Sequence, residues 1–309
     1  MEHLAYFDAA AIASTVSMPD AIAAITQGFA TGVVHVERTQ IVASHADFLV
    51  MPAASSVAVG VKLLIVQPAN RERGEPVIQG TYVLFDVERG RPIALLDGAA
   101  LTSLRTPAVS AIATDRLARP DVRVLAVFGT GPQARAHVEA MRIVRPSIDQ
   151  VLVVGRTAQQ AASLADGLVP TARAATAAEA ARSDIICTCT SSAAALFDGA
   201  LVQPGTHLNL VGTYRPERRE IDGALVARAT VTVDDRAAAR AEAGDLVLAQ
   251  AEGLFDWDRV AGDLVDLAAR RIGRRHPDEI TIFKSSGLAH EDLVIAELVA
   301  RQAGLLAGP

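Results

Sequence analysis

The chain has 309 residues, 50% of them apolar, so it can bury a large core and is long enough for two domains. Its 35 acidic and 29 basic residues give a net charge of −6 without long runs of one sign. This balance excludes an extended basic surface for nucleic acid or an anionic membrane and favours a small-molecule partner. No apolar run reaches the ~20 residues that span a bilayer and the N-terminus lacks signal-peptide features, so we expect a cytoplasmic protein with no membrane contact.

Helix and strand patterns alternate in the first third of the chain. A helix is predicted after Ser17, because Ser17 and Asp20 have the spacing of a capping box. The run TYVLFDVERGRPIALLD predicts two antiparallel strands joined by a turn at residues 88–90. A second helix is predicted from Thr106 as its N-cap, with Pro107 at the first helical position.

From Val122 onward, short strands rich in Val, Ile and Leu alternate with helical patterns, beginning with VRVLAVFG and PQARAHVEAMRIV and ending with EITIFKSSG. This rhythm predicts an α/β fold with a doubly wound parallel sheet, the Rossmann domain, over residues 119–287. Residues 1–118 are predicted to form a second, α+β domain. The last predicted helix, within 288–309, is expected to return to that domain.

A glycine-rich turn lies between the first strand and helix of the predicted Rossmann domain, in VLAVFGTGPQARAHVEAM. Gly129, Thr130 and Gly131 occupy the turn, and Gln133 and Ala134 open the helix. Glycines there let the backbone approach a pyrophosphate, and the helix N-terminus supplies N–H donors. Because a full βαβ pattern surrounds the turn, these five residues are predicted to bind a dinucleotide.

The end of the next strand indicates which dinucleotide binds. An acidic residue is typical of NAD-binding domains at this place, whereas here Arg156 and Thr157 follow the strand, and a guanidinium suits the 2′-phosphate of NADP. An exposed arginine without a role is the alternative. Thr188, Thr190 and Val211, at the ends of two later strands, are predicted to border the nicotinamide.

The cysteines and lysines are few. Cys187 and Cys189 lie two residues apart in one predicted strand, and we interpret them as core thiols rather than a redox or metal pair. Lys62 and Lys284 are the only lysines among many arginines, which suggests a role for a compact ammonium group, although chance is an equal alternative. The histidines show no metal-ligand spacing, so no metal is expected.

From about residue 30 to its end, the chain resembles the ornithine cyclodeaminase/mu-crystallin family. The resemblance rests on VERTQ, GVKLL, QGTYVLFD, PIALLDGAALTSLRT, GTGPQA, GTHLNLVG, REID and ITIFKSSG. It implies that Arg38, Lys62 and Arg105, from the domain outside the Rossmann fold, bind a substrate carboxylate. It also implies a homodimer formed through that domain.

The family divides by chemistry. Its cyclodeaminases have a Gly-Gly-Asp segment whose Asp assists deprotonation, and here Tyr214 stands in that place, within VGTYRPERREID. The segment looks more like that of ketimine reductases and Δ1-pyrroline-2-carboxylate reductases. The resemblance therefore implies an NADP-preferring oxidoreductase that reduces cyclic 2-imino acids to L-proline or L-pipecolate. The alternatives are a cyclodeaminase, an amino-acid dehydrogenase or reductive aminase using a 2-oxo acid, and a non-catalytic NADPH-binding protein.

In the expected mechanism, hydride passes from NADPH to the C=N carbon while Arg38 and Arg105 hold the substrate carboxylate. Lys62 is the candidate proton donor, because two neighbouring arginines lower the pKa of an ammonium group, but it alternatively only hydrogen-bonds the carboxylate. Tyr214 and His290 are other candidate donors.

The remaining predicted site residues lie near the two domain junctions. Thr106 is predicted to contact the cofactor, and Lys284, Ser285 and Gly287 are predicted to close the site near the nicotinamide. A simple helix-cap turn is the alternative for that segment. Asp292, at the start of the last helix, is interpreted as an acid that suits the helix dipole.

Overall fold

A computed structural model describes residues 4–30, 36–168 and 171–307. The chain forms two compact units, each as far as it is described. Unit 1 consists of Met1–Gly28, Gly32–Arg105 and Leu288–Pro309, and unit 2 consists of Phe29–Thr31 and Thr106–Gly287.

The helices and strands follow one another along the chain, with short 3-10 helices at Pro68–Arg73, Gly199–Leu201 and Trp257–Arg259. In chain order they are β1 Ala5–Phe7, α1 Ala9–Thr15, α2 Met18–Ala30, β2 Thr39–Ala43, β3 Ala46–Ala54, β4 Ala58–Val66, β5 Ile78–Asp86, β6 Arg91–Asp97, α3 Gly98–Leu117, β7 Val124–Phe128, α4 Pro132–Val144, β8 Gln150–Val154, α5 Ala158–Asp166, β9 Ala172–Ala174, α6 Ala177–Ala180, β10 Ile185–Thr188, β11 His207–Leu210, α7 Gly223–Ala227, β12 Thr230–Val233, α8 Arg236–Glu242, α9 Gly244–Ala251, β13 Val260–Gly262, α10 Leu264–Ala268, β14 Thr281–Lys284 and α11 Ala289–Gln302.

Unit 1 contains a six-stranded sheet in the order β1-β6-β5-β4-β3-β2, in which only the β1–β6 pair is parallel. The alternation of β4 separates its two faces: Ala58, Gly60, Lys62 and Leu64 are buried, while the residues between them are exposed or half-buried. Helix α11 packs against β3, β4 and β5. Lys62 therefore points into the core of unit 1 with the apolar residues of its strand.

Unit 2 is built on an eight-stranded parallel sheet in the order β13-β12-β14-β11-β10-β7-β8-β9. The order reverses between β7 and β10, which are neighbours although two strands separate them in sequence. Phe128, Thr188, Leu210 and Lys284 lie in register at the carboxyl ends of β7, β10, β11 and β14. The predicted doubly wound Rossmann fold is confirmed, and its ligand-binding edge is the one at which these four residues end their strands.

The predicted capping box and the predicted hairpin of the first third of the chain are both confirmed. Ser17 and Asp20 bond reciprocally before α2, with the Asp20 amide 3.3 Å from the Ser17 hydroxyl oxygen. The predicted hairpin is β5 and β6, with Gly90 at a φ of 61° in its turn.

The predicted start of the helix at Thr106 is wrong. Helix α3 begins at Gly98, where the Asp97 carboxylate accepts hydrogen bonds from the amides of Ala99 and Ala100, both at 2.9 Å. Thr106 and Pro107 lie in the middle of this helix, which continues across the junction of the two units after Arg105. A proline inside a helix costs a backbone hydrogen bond, and here the helix continues through Pro107 with the residues from 105 to 114 buried. Because the boundary between the two units falls inside a helix and no loop marks it, the boundary predicted from the sequence, after residue 118, lies too far along the chain.

Among the described residues, no single helix combines the length and the apolar character of a membrane span. Helices α1 and α2 pass that test only when taken together, and their axes are bent by 79° at the break between them.

Candidate active site

Lys62 is fully buried in unit 1, and its ammonium group has two polar partners. Nζ lies 2.6 Å from Oδ2 of Asp292 and 3.3 Å from Oγ1 of Thr102. Both Lys62 and Asp292 have side chains with no solvent exposure. A buried charge persists only when it is paired and hydrogen-bonded, so this contact fixes the position of the Lys62 side chain.

The first turn of α11 supplies a pair of carboxylates to the same core. Oε2 of Glu291 lies 2.6 Å from Nη1 of Arg105, and Oδ1 of Asp292 lies 3.6 Å from Nε of Arg105. Glu291 and Asp292 are both fully buried. The interpretation of Asp292 as an acid that merely suits the helix dipole was incomplete, because its carboxylate forms a buried ion pair with Lys62.

The electrostatic environment lowers the pKa of Lys62 to about 8. Burial is the largest cause and favours the neutral amine. The charge and hydrogen bond of Asp292 oppose it, while the positive charges of Arg105 and Arg38 lower the pKa further. The side chain therefore titrates close to neutral pH, where it can donate or accept a proton.

The structure brings together Arg38, Lys62 and Arg105, which we call the cationic cluster. Arg38 lies half-buried just before β2 and acts electrostatically on Lys62. Lys62 and Arg105 form ion pairs with Asp292 and Glu291 in the same core. Such a site suits a small anion with a single carboxylate.

Tyr82 was not found by sequence reasoning. It lies directly opposite Lys62 in the β4–β5 register and is fully buried. Burial raises its pKa, as do the charges of Asp292 and Glu297. Its hydroxyl makes no hydrogen bond to the described residues. A buried phenol beside a charged cluster is a donor available to an additional polar group.

In unit 2, the two glycines of the predicted dinucleotide turn serve different purposes. Gly129 has a φ of 122°, and a Cβ there would lie 2.5 Å from the carbonyl oxygen of Cys189. Gly131 is the N-cap of α4, no side chain caps that helix, and a Cβ on Gly131 would have no atom within 4 Å. Gly129 is thus required by the fold, while Gly131 leaves open space at a helix N-terminus that fits a phosphate group.

An open cleft of about 610 Å³ lies beside this turn. Thr130, Gly131 and Pro132 line it together with Arg135, Gln159, Gln160, Ser163 and Leu164 of α4 and α5. Gln133 is half-buried and Ala134 is buried at the start of α4. The described geometry around the turn therefore fits the phosphates of a dinucleotide.

The residues predicted to select the dinucleotide follow β8. Thr157 is the N-cap of α5, and its hydroxyl accepts a hydrogen bond of 3.2 Å from the Gln160 amide. Arg156 is exposed to solvent beside it. The position leaves the Arg156 guanidinium accessible to an anionic ligand.

Glu220, from the REID segment, organises the carboxyl edge of the sheet and was missed as a functional residue. Its carboxylate accepts hydrogen bonds of 2.7 Å from both the Thr188 and Thr190 hydroxyls. It also accepts from the backbone amides of Thr190 at 3.0 Å and Gly212 at 2.9 Å. Burial is the largest cause of its raised pKa, while Lys284 acts in the opposite direction. Thr188 and Thr190 are thereby fixed where β10 ends.

Lys284, a predicted cofactor contact, has two polar partners within unit 2. It is fully buried, and Nζ lies 2.7 Å from the Thr213 carbonyl oxygen and 3.0 Å from Oδ2 of Asp245. The ammonium group thus holds the loop after β11 to the start of α9. A direct contact of Lys284 with a cofactor stays a prediction.

Hydrogen bonds from backbone amides hold the segment after Lys284. The Ser285 amide donates to the Leu210 carbonyl at 3.0 Å, and the Gly287 amide donates to Oδ2 of Asp234 at 2.7 Å. Val211 likewise donates through its amide to the Thr188 carbonyl at 3.1 Å. These contacts position Val211, Ser285 and Gly287 at the carboxyl edge, while their contacts with a cofactor stay predictions.

The remaining predicted site residues are Thr106, Tyr214 and His290. Thr106 is buried within α3, and its hydroxyl makes no hydrogen bond to the described residues. Tyr214 is half-buried, with the Arg215 guanidinium 5.9 Å from its ring centroid. His290 is half-buried at the start of α11, and burial lowers its pKa. Their roles stay predictions.

The two turn glycines generate a paired prediction. Gly129→Ala should lower both the melting temperature and the affinity for NADH, because a Cβ at a φ of 122° strains the backbone. Gly131→Ala should leave the melting temperature unchanged and weaken NADH binding alone, because the Cβ fills ligand space. Thermal denaturation and calorimetric titration of each purified variant measure the two effects. Unchanged NADH affinity in Gly131→Ala would contradict this placement of the phosphates.

Comparison with known proteins is consistent with the site geometry. The chain matches the model of the ornithine cyclodeaminase/mu-crystallin family over residues 6–304. The Δ1-pyrroline-2-carboxylate reductase of Paracoccus denitrificans is 40% identical over 250 residues, which cover 78% of this chain and 78% of that protein. The resemblance identified from the sequence motifs is confirmed.

Solved structures share the fold. Thermococcus litoralis Δ1-pyrroline-2-carboxylate reductase, in complex with NADH and L-proline, has a TM-score of 0.92 at 29% identity and covers 99% of this chain and 100% of that chain. An archaeal alanine dehydrogenase dimer with bound NAD has a TM-score of 0.91 at 28% identity, covering 97% of this chain and 96% of its own.

Proposed function

We propose that this chain, which belongs to the ornithine cyclodeaminase/mu-crystallin family, is a nicotinamide-dependent reductase of cyclic 2-imino acids. Its products would be cyclic L-amino acids such as L-proline or L-pipecolate. The observation that supports this most strongly is the cationic cluster, which combines two guanidinium groups with an ammonium group that titrates near neutral pH. The relatives that act on Δ1-pyrroline-2-carboxylate support the same reaction class.

The residues of unit 1 bind and protonate the substrate in this proposal. Arg38 and Arg105 hold the carboxylate through charge-assisted hydrogen bonds and so orient the adjacent C=N carbon. The Lys62 ammonium donates a proton to the imine nitrogen, while the alternative is that it only hydrogen-bonds the carboxylate. The proton lost from Nζ is replaced from solvent. When bound, a reduced nicotinamide supplies the hydride that the carbon receives.

The residues of unit 2 would bind the cofactor. The glycine turn and the first turn of α4 would bind the pyrophosphate, and Thr188 and Thr190, which Glu220 holds at the end of β10, would border the nicotinamide. Lys284 acts here as a positioning residue, because its ammonium group is bonded to Thr213 and Asp245.

Each alternative function would give a different result in an enzyme assay. A cyclodeaminase would release ammonia from ornithine without net use of reduced cofactor, and Tyr214 in place of the family's Asp argues against it. An amino-acid dehydrogenase or a reductive aminase would need a 2-oxo acid together with ammonia or an amine. A non-catalytic protein would bind NADPH without turning over any imine.

The proposed reaction is tested by following nicotinamide absorbance with each substrate set. We expect consumption of reduced cofactor with preformed Δ1-pyrroline-2-carboxylate or Δ1-piperideine-2-carboxylate. Ammonia release from ornithine, or cofactor consumption only with a linear 2-oxo acid and ammonia, would contradict the proposal.

Substitution of Arg38 tests the carboxylate contact. Arg38→Ala should lower kcat/KM for the imino acid by roughly 10- to 150-fold, the value of one hydrogen bond to a charged group. Arg105→Ala is less informative, because it would leave the buried Glu291 without its guanidinium partner. Steady-state kinetics measure the loss, and Arg89→Ala, an exposed arginine of unit 1, is the control. Equal kinetics in Arg38→Ala and Arg89→Ala would exclude Arg38 from the site.

The coenzyme is proposed to be NADPH rather than NADH. Support comes from the exposed Arg156 beside the N-cap Thr157, because a guanidinium there can bind a 2′-phosphate. The solved relatives were observed with NADH or NAD, so the choice between coenzymes depends on this chain's own residues.

Arg156→Gln should raise KM for NADPH by roughly 10- to 150-fold and leave KM for NADH unchanged, because only NADPH has the phosphate. Steady-state assays with both coenzymes measure the difference, and Arg182→Gln, another exposed arginine of unit 2, serves as the control. A wild-type enzyme that prefers NADH would contradict the assignment.

A homodimer is proposed through the outer face of the unit 1 sheet, the face opposite α11. Val59, Ile65 and Phe85 on this face are 42%, 39% and 36% exposed, and Val61 and Leu63 between them are half-buried. An apolar sheet face of this kind is typical of a protein interface. The archaeal relative is described as a dimer, which supports a dimeric assembly without identifying its interface.

Leu63→Glu should convert the dimer to a monomer, because it places a charge in the middle of the apolar face. Analytical ultracentrifugation should give the wild type about twice the chain mass of 32.3 kDa and the variant the chain mass itself. The control is Ile143→Glu, at a 37% exposed position on α4. A monomeric wild type, or a dimeric Leu63→Glu, would contradict the interface.

A further inference from the structure

Asp292 has no part in the reaction described so far, although it is the closest charged group to the proposed proton donor. Its Oδ2 lies 2.6 Å from Nζ of Lys62, and both side chains are fully buried. The residue lies in the first turn of α11, more than two hundred residues after Lys62 in the chain. The C-terminal helix therefore completes the environment of a lysine on β4.

The contacts of Lys62 leave one donor for a substrate. An ammonium group has three N–H donors. Within the described residues, one is directed at Asp292 and one at Thr102. The Thr102 hydroxyl donates its own proton to the Gly98 carbonyl at 2.8 Å, so it acts as an acceptor toward Lys62. The two contacts fix the direction in which the third N–H can point.

The charges around Lys62 show why the carboxylate is needed. Arg105 of α3 and Arg38 before β2 both favour the neutral amine, as does burial. On β5, Tyr82 is opposite in register, and on β3 the register partner is the apolar Met51. Asp292 is the anion that opposes these effects directly.

The neighbouring carboxylate has a different partner. Oε2 of Glu291 lies 2.6 Å from Nη1 of Arg105, whereas Oδ2 of Asp292 makes the 2.6 Å contact with Nζ of Lys62. Adjacent residues of α11 thus act on two different cations. Glu291 fixes a carboxylate-binding guanidinium, whereas Asp292 acts on the ammonium group.

We propose that Asp292 is a positioning residue whose carboxylate keeps the Lys62 side chain charged and aimed for proton donation. The inference rests on the proposed reductase function. In the step itself, one Nζ–H bond of Lys62 breaks and an N–H bond forms at the imine nitrogen, while the carbon receives a hydride and both its electrons from the reduced nicotinamide. Lys62 is left as a neutral amine beside Asp292 and regains its proton from water.

The first test measures Lys62 directly and needs no turnover. Because Lys62 and Lys284 are the only lysines, protein labelled with 13Cε,15Nζ-lysine gives two side-chain signals, which Lys284→Arg assigns. In Asp292→Asn, the pKa of Lys62 read from these signals should fall by about 1 to 3 units, the effect of losing a nearby opposite charge. An unchanged pKa would overturn the proposal.

The second test reads the same change in catalysis. In the wild type, kcat/KM should decline as the pH rises through the pKa of Lys62, because the ammonium form is the donor. In Asp292→Asn, the alkaline limb of the kcat/KM profile should move to lower pH by as much as the Lys62 pKa measured by NMR falls. A limb that stays in place while the NMR pKa moves would overturn the proposal, since Lys62 would then not be the donor.

Two variants separate a positioning role from a structural one. Asp292→Glu keeps a carboxylate and should restore the wild-type limb. Glu291→Gln removes an equal charge one residue away and should move the limb less than Asp292→Asn. If Asp292→Asn does not fold, the NMR titration of wild-type Lys62 and the pH profile of Asp292→Glu still test the proposal. A difference between the NMR pKa of wild-type Lys62 and the pKa of the alkaline limb of wild-type kcat/KM would overturn it. A protein that reduces no imine but shows the NMR shift would contradict the proposed function alone.

Discussion

A fully buried ammonium group on β4 constrains the structure of unit 1. Moving a charge of this kind out of water costs several kcal/mol even after the protein relaxes, so Lys62 is tolerated only with a close, hydrogen-bonded partner. Asp292 meets this requirement at 2.6 Å from the first turn of α11. The C-terminal helix must therefore return to the sheet in which Lys62 lies. Arg105 of α3 and Glu291 of α11 form a second buried ion pair in the same core, so two of the three cations of the cluster are fixed by carboxylates of one helical turn.

In unit 2, the backbone forms the carboxyl edge of the parallel sheet, and buried side chains hold that edge in place. The positive φ of Gly129 turns the chain from β7 into α4, and Gly131 keeps the helix N-terminus open. Glu220 holds the ends of β10 and β11 together, and Lys284 ties the next loop to Asp245. Thr188 and Lys284, both predicted as cofactor contacts, thus also form the hydrogen bonds that hold this edge of the sheet.

Local sequence signals predicted the fold well where one short segment determines the outcome. The glycine turn, the β5–β6 hairpin and the alternation of strands and helices all depend on neighbouring residues. Thr106 and Pro107 resembled a helix start, but Asp97 caps α3 earlier, and the packing of the helix retains the proline. The junction after Arg105 lies inside a helix, so no change of composition marks it.

Sequence reasoning found only those site residues that a local motif or a rare residue type marks. Lys62 was conspicuous as a rare lysine in an apolar strand, and the family motifs supplied Arg38 and Arg105. Asp292 and Glu220 were not recognised, because an acid at a helix start and one in a loop are ordinary surface features. Only contacts between residues distant in sequence show that both are buried and paired.

The central claim is that the positive cluster of unit 1 grips a substrate carboxylate so that the adjacent C=N bond is reduced. The most direct measurement compares Δ1-piperideine-2-carboxylate with Δ1-piperideine, the same ring without the carboxylate, by following consumption of reduced nicotinamide. We expect rapid reduction of the first and a kcat/KM for the second that is lower by at least about 100-fold, the combined value of the lost charged hydrogen bonds. Equal turnover of the two rings, or reduction of neither, would contradict it.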